Sequence, residues 1–471
     1  MNGAGGQAPQ SSQLPHIAVV GGGIAGITAA LRLADEGCRV SLFERRPFLG
    51  GRTFSFADRG GGSDFDNGQH AMLGCYDEAL ALLRRIGAED RLYHQRGIEV
   101  ELREAGRRAR LAAGGTPAPL HLARALVSFS LLTPLERLQA ARGAFAFVRR
   151  ARRCPVEMAG ETVEQALRQA GQSARIREVL WNPIALAALN DDPAIAAAPL
   201  FAEVVRRAFF GSAADAAIVL PAVPLSELIG QPAQEALRAA GVELHCGEAV
   251  REVLPDAAGR PRELRVSAGE EIRADAMIFA LTPQQLARIP FGAASLAQRL
   301  DCASEALLAT APIVSTHVAL PRVAELPAVT GLLGTTTQWV FNSDRIRRDR
   351  EGAEGGLLSC VTSGARELDA SDDAAICALV ARELHELLPE VAGIDPARMH
   401  VVRERHATMA PTVAANRARP PVRSALPGVY LAGDWVDTGL PATIESAALS
   451  GRLAAEACLS ARSTRVATQA A

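Results

Sequence analysis

Gly21, Gly23 and Gly26 stand at G-x-G-x-x-G spacing, with an acid at Glu44 and a Gly50-Gly51-Arg52 turn behind them. Residues of these types in this order can hold a dinucleotide. Gly21 permits a tight turn between strand and helix. Gly23 lacks a Cβ, so a pyrophosphate can approach the backbone. Gly26 lets the helix pack closely on the strand. The free N–H groups where that helix begins, around Ile24 and Ala25, and its positive dipole end suit phosphate oxygens. Glu44 lies 18 residues beyond Gly26 and, with Arg45, ends the next apolar run. A carboxylate there accepts hydrogen bonds from ribose hydroxyls and disfavours a 2′-phosphate. That leaves FAD or NAD. Gly50-Gly51-Arg52 shifts the balance to FAD, because the guanidinium of Arg52 can clamp a pyrophosphate.

A second set lies near the carboxyl end. Gly428 to Trp435 reads as a strand ending in Gly433-Asp434, and Thr443 to Cys458 reads as a helix rich in small residues. Asp434 can bond the ribityl or pyrophosphate side of a flavin. The helix start near Thr443 and Ile444 can stabilise negative charge on the flavin ring.

These residues need a scaffold. Ile17–Val20 and Arg39–Phe43 read as buried parallel strands flanking a helix over Ile27–Glu36. Residues 77–93 predict an amphipathic helix and residues 98–112 a hairpin. Leu120–Val148 is helical, unusually apolar and broken by Pro134; it forms either a helical core or a lipid-facing or apolar-substrate entrance. Residues 160–240 are mainly helical. Strands resume at 241–245, 249–253 (which adds Val250 to the cofactor-binding candidates), 263–266 and 275–280. Strand-like runs over 310–365 predict a mostly antiparallel sheet, and 372–388 another helix. The expected fold is α/β. A Rossmann-like FAD-binding domain comprises 15–76, 241–290 and 420–460. An interleaved antiparallel-sheet substrate domain comprises 77–119 and 291–419, with a helical subdomain over 120–240. Residues 1–14 are expected to be a disordered tail.

The composition narrows the function. In 471 residues the net charge is -2, which gives no general attraction to nucleic acid. All 50 basic residues are arginine, so neither a Schiff-base lysine nor a lysine holding water at a flavin is possible. Eight cysteines lie far apart without a C-x-x-C pair. No metal site is expected, and the cysteines read as reduced thiols in a reducing compartment. No apolar run reaches the ~18 residues of a membrane-spanning helix.

From Ile17 to about Cys458 the chain resembles the flavin amine oxidase superfamily, which includes phytoene desaturases and protoporphyrinogen oxidases. Asp64 to His70 and Gly433 to Thr443 look most like the squalene-associated FAD-dependent desaturases, or hydroxysqualene dehydroxylases. That resemblance implies FAD, an apolar isoprenoid substrate, and reduction of hydroxysqualene to squalene with loss of water. It also implies a cytoplasmic protein, with a peripheral site on the inner face of the cytoplasmic membrane as the expectation for such a substrate. The electron donor stays open. Ionising a C–OH bond needs an acid. The expected catalytic group is His70 as proton donor, Asp66 to orient it, Gln69 as hydrogen-bonding neighbour, and Asp437 as the rival acid. A structural histidine at 70 and a turn residue at 66 are the plainer alternatives. Two other readings compete: an oxidative carotenoid-type desaturase, and a non-catalytic prenyl-binding escort of the same architecture.

Overall fold

The computed structural model describes residues 14–56, 64–113, 120–391 and 393–470. Of the expected amino-terminal tail, residues 1–13 lie outside the described residues.

Five parallel strands form the sheet that carries the glycine turn. Their order is Glu243–Cys246, Arg39–Glu44, His16–Val20, Ala276–Phe279 and Val429–Leu431. Strands covered on both faces are apolar on both, which is why Ile17–Val20, Ala276–Phe279 and Val429–Leu431 read as unbroken hydrophobic runs. Side chains alternate between the faces. Ile17 and Val19 pack with Ile27, Leu31 and Ala454, on the side of helices Ile24–Asp35 and Ile444–Ala470. Ala18 and Val20 pack with Val253, Leu264 and Phe291 on the other side. Those three belong to a separate five-stranded sheet that includes Val250–Pro255 and Pro261–Val266. The strands expected near 249–266 therefore do not extend the parallel sheet.

A seven-stranded sheet stands beyond, ordered Met399–Met409, Thr310–Leu320, Gly356–Ser363, Trp339–Asn342, Val329–Leu332, Glu99–Glu104 and Arg107–Ala112. It is antiparallel except where Val329–Leu332 runs parallel to Glu99–Glu104. The predicted 77–93 helix stops at Arg85; Gly87 takes φ +72° and the chain turns into the short strand Leu92–His94. That strand and Met72–Leu73 flank Ile218–Pro221, a strand inside the stretch read as helical.

Leu120–Val148 is two helices, Leu120–Ser128 and Pro134–Arg153. Pro134 does not interrupt a helix but begins one. Thr133 and Glu136 form a capping box around it, and proline at the first helical position lacks only an N–H that would have no partner. Phe129, Phe147, Trp181 and Phe201 build the helical core. Glycine at 143 is required there, because a Cβ would meet Gln172 Nε2 at 1.6 Å. All eight cysteines are thiols, six of them buried.

Candidate functional site

The chain leaves the central strand at Gly21 with φ +110°, and the Gly21 N–H donates to Phe43 O at 2.8 Å. A Cβ on Gly26 would stand 1.9 Å from Gly21 O, so helix and turn touch through backbone alone. Gly23 differs. Its hypothetical Cβ meets nothing nearer than Gly51 Cα at 3.7 Å. Gly23 is also the N-cap of helix Ile24–Asp35 and brings no side-chain cap to the amides of the first turn. Gly50 donates to Gly22 O at 2.9 Å, which lays the Gly50-Gly51 loop across the turn. Glu44 is buried at the end of its strand, accepting from the amides of Gly22 (2.7 Å) and Arg46 (2.8 Å). Two such bonds leave carboxylate lone pairs for further donors. Gly247 donates to Arg46 O and Glu248 to Glu44 O, bringing the loop before half-buried Val250 alongside Glu44. The Arg45 side chain is exposed.

The carboxyl-terminal set meets this turn directly. Arg52 Nη2 donates to Asp434 Oδ1 at 2.7 Å and Arg52 Nη1 to Ala407 O at 2.5 Å. The guanidinium thus joins the two motifs to each other. Gly433 takes φ +141°; its N–H donates to Ser450 Oγ at 2.8 Å, and Ser446 Oγ donates to Asp434 O at 3.2 Å. Thr443 Oγ1 accepts from Ser446 N–H, so Thr443 caps the last helix and Ile444 begins it. A Cβ on Gly451 would lie 2.2 Å from Ala25 O, which brings that helix against the glycine-turn helix.

Arg419, Ser446 and Ser450 were not among the sequence candidates. Arg419 is buried and donates to the carbonyls of Asp434, Trp435, Val436 and Leu440, holding the whole loop. No local pattern marks it. Ser446 and Ser450, one helical turn apart, were detectable as polar residues on a small-residue helix.

The segment from Phe65 to His70 lies against the same place. Asp66 is buried; its carboxylate accepts from Ser55 Oγ (2.8 Å) and the Leu225 amide (2.9 Å), and burial pushes its pKa up. Asn67 Nδ2 donates to Arg52 O at 2.7 Å. Gln69 is half-buried. His70 Nε2 is buried and has no hydrogen-bond partner among the described residues. Among the described residues, His70 is the one polar side chain lining an apolar crevice bounded by Met72, Leu225, Ile229 and the first residues of two helices, Ile24 and Ile444. Burial, then the Arg52 guanidinium, push its pKa down to about 4. Asp437 is exposed, and its carboxylate accepts from the Gly439 amide at 3.2 Å.

A second histidine supports this segment. His317 Nε2 contacts Asp66 O at 3.1 Å and Nδ1 contacts Ser359 Oγ at 2.8 Å. A carbonyl only accepts, so Nε2 carries a proton, and burial disfavours a second proton at Nδ1. Burial lowers its pKa from 6.5 to about 4. The unfolded chain therefore binds the extra proton first as pH falls from 6.5 towards 4, and stability falls with it. His317→Gln is expected to remove on the order of 3 kcal/mol of that pH-dependent loss. Urea unfolding at pH 7 and pH 4 checks it; an unchanged difference between the two pH values would refute the assignment.

The groups present fit a flavin dinucleotide. Gly23 leaves open room beside uncapped helix amides, Glu44 is anchored at the strand end, and a second helix begins beside an unpartnered imidazole nitrogen. Residues 24–459 match the family model described as flavin containing amine oxidoreductase. The hydroxysqualene dehydroxylase of Rhodopseudomonas palustris is 31% identical over 453 residues, covering 94% of this chain and 98% of that protein. The 15-cis-phytoene desaturase of Synechococcus elongatus is 24% identical, covering 94% and 96% respectively. Among solved structures, an oxidoreductase from Methanosarcina mazei shares the fold with a TM-score of 0.69 at 18% identity, covering 94% of this chain and 100% of that one. A putrescine oxidase variant does so with a TM-score of 0.69 at 14% identity, covering 95% and 99%.

Proposed function

We propose that this chain, which belongs to the family of flavin-containing amine oxidoreductases, reductively removes the hydroxyl group of hydroxysqualene to give squalene. Its cofactor is FAD. The observation that carries the reading is His70, whose ring Nε2 has no partner among the described residues and lies in an otherwise apolar crevice between two helix starts. The crevice holds about 10 Å³, room for one small polar group and not for an isoprenoid chain, so what its lone polar atom suits is the substrate's single hydroxyl group.

The amides at Ile24 and Ala25 would hold the pyrophosphate, Glu44 the ribose, and the loop before Val250 the adenine side. Asp434, set by Arg52, and the helix start at Thr443 and Ile444 would hold the ribityl chain and the ring. Reduced flavin, when bound, supplies a hydride. The chain's own part is the proton. His70 Nε2 gives it to the substrate hydroxyl oxygen, the C–O bond breaks with its electron pair on oxygen, and water leaves. The carbon left electron-deficient is allylic and takes the hydride. The apolar wall keeps other water from that carbon. Asp66 acts as a positioning residue, bonding Ser55 and Leu225 and so fixing the strand that leads to His70, with Gln69 its neighbour. The same reading places the protein in the cytoplasm, at the inner face of the membrane that dissolves its substrate.

The test is anaerobic incubation of the photoreduced FAD-loaded protein with hydroxysqualene, followed by lipid mass spectrometry. Squalene is the expected product. Desaturation of an isoprenoid in the presence of an electron acceptor, with no squalene under reducing conditions, would instead establish the oxidative reading that the phytoene desaturase relative favours.

A further inference from the structure

We propose that the outward face of helices Leu120–Ser128 and Pro134–Arg153 seats the protein on an anionic lipid surface. The second helix buries Ala140, Gly143, Phe147 and Val148. Its opposite side carries Leu135, Leu138, Arg142, Phe145 and Arg149 at i, i+3, i+7, i+10 and i+14, one continuous stripe. Leu135, Leu138 and Phe145 are 64%, 57% and 61% exposed, flanked by Val127 at 69% and Val156 at 86%. A face this apolar is not an ordinary solvated surface.

Charge identifies what covers it. Between residues 120 and 156 there are seven arginines and one carboxylate, Glu136, in a chain whose net charge is -2. Arg142 and Arg149 lie within the apolar stripe itself. The long arginine stem lies along apolar surface while its guanidinium reaches outward, the behaviour of a helix lying in a lipid interface. Weak hydration and a forked donor set match lipid phosphates. A second copy of the chain would set arginine stripe against arginine stripe, which disfavours self-association through this face. No helix among the described residues is long and apolar enough to cross a membrane, so the contact is with the surface. The proposed reaction gives the docking its purpose, since an isoprenoid substrate resides in the bilayer. The contact itself is measured without substrate and stands or falls separately.

The experiment is sedimentation of the FAD-loaded full chain with vesicles of phosphatidylcholine alone or mixed equally with phosphatidylglycerol. Binding is expected to the mixed vesicles, about tenfold or more weaker to the neutral ones, and weakened by salt. The double variants Leu138→Glu/Phe145→Glu and Arg142→Glu/Arg149→Glu are each expected to lose about tenfold or more in binding while retaining the bound-flavin spectrum. Three results would overturn the proposal: equal affinity for both vesicle types, variants that bind like the wild type, or a wild-type dimer that Leu138→Glu/Phe145→Glu dissociates.

Discussion

Gly23→Ala gives a folded protein without flavin. Gly23 has φ −81° and ψ −178°, a conformation that alanine adopts without strain. Its new Cβ would meet only Gly51 Cα, at 3.7 Å, an ordinary contact. Nothing in the chain resists the substitution, so the apoprotein melts at its usual temperature. The methyl group instead occupies the open room beside the helix amides, where the proposed site would hold the pyrophosphate. Gly26→Ala behaves differently. Its Cβ falls 1.9 Å from Gly21 O and 3.1 Å from Gly21 C, and backbone cannot rotate away as a side chain can. Helix Ile24–Asp35 must lift from its strand, at a cost of about 1–3 kcal/mol or more, so that variant loses stability as well as flavin. Absorbance near the oxidised-flavin band, read after incubation with excess FAD, and apoprotein melting temperatures separate the two. A yellow Gly23→Ala protein with full flavin content would show that the dinucleotide does not pass Gly23.

His70→Ala is expected to lower kcat/KM for the hydroxylated substrate by about 10²–10⁴, the range of a lost general acid, with the flavin spectrum unchanged. The pH profile distinguishes chemistry from structural damage. With the His70 pKa pushed down to about 4, the imidazolium fraction falls about tenfold for each pH unit above it. Wild-type kcat/KM therefore rises as pH falls from 8 towards 5, roughly tenfold per unit, and the variant's profile is flat. Asp437→Asn keeps the wild-type slope, because that carboxylate is exposed in a turn capped by Gly439. Asp66→Asn still accepts from Ser55 and Leu225 through its amide oxygen and loses far less than His70→Ala. Near-wild-type turnover by His70→Ala with reduced flavin would remove His70 from the mechanism.

The parts of the site that the sequence disclosed are those governed by short-range stereochemistry. The glycine turn, its helix and the Glu44 strand were legible because a strand, a turn and a helix state their requirements within about thirty residues. The inner parallel strands were legible because burial on both faces leaves Ile17–Val20 and Ala276–Phe279 without a polar position. Met399–Met409 escaped notice because it is an edge strand whose side chains are mostly half-buried or exposed, including Arg403, Glu404 and Arg405; no period-2 apolar pattern exists to be found. Arg419 was invisible for a different reason. Its partners are four backbone carbonyls, which every residue has, and only the folded loop brings them to one guanidinium. The sequence predicts two separate cofactor contacts for Arg52 and Asp434 and not the bond between them, because their mutual attraction spans 382 positions that no spacing rule relates.

That bond carries a consequence for biosynthesis. One half of the proposed nucleotide cradle leaves the ribosome 382 residues before the other, yet each is pinned by the other. A nascent chain holding only the early half has Arg52 without its carboxylate and the glycine helix without Gly451 against it, so the coenzyme is expected to be captured only after Asp434 and Gly451 have been made. A ligand that needs both segments binds the folded chain and not the unfolded one, so its cellular concentration acts on the folding equilibrium itself. Starvation for riboflavin would thus deplete this protein, and not merely idle it.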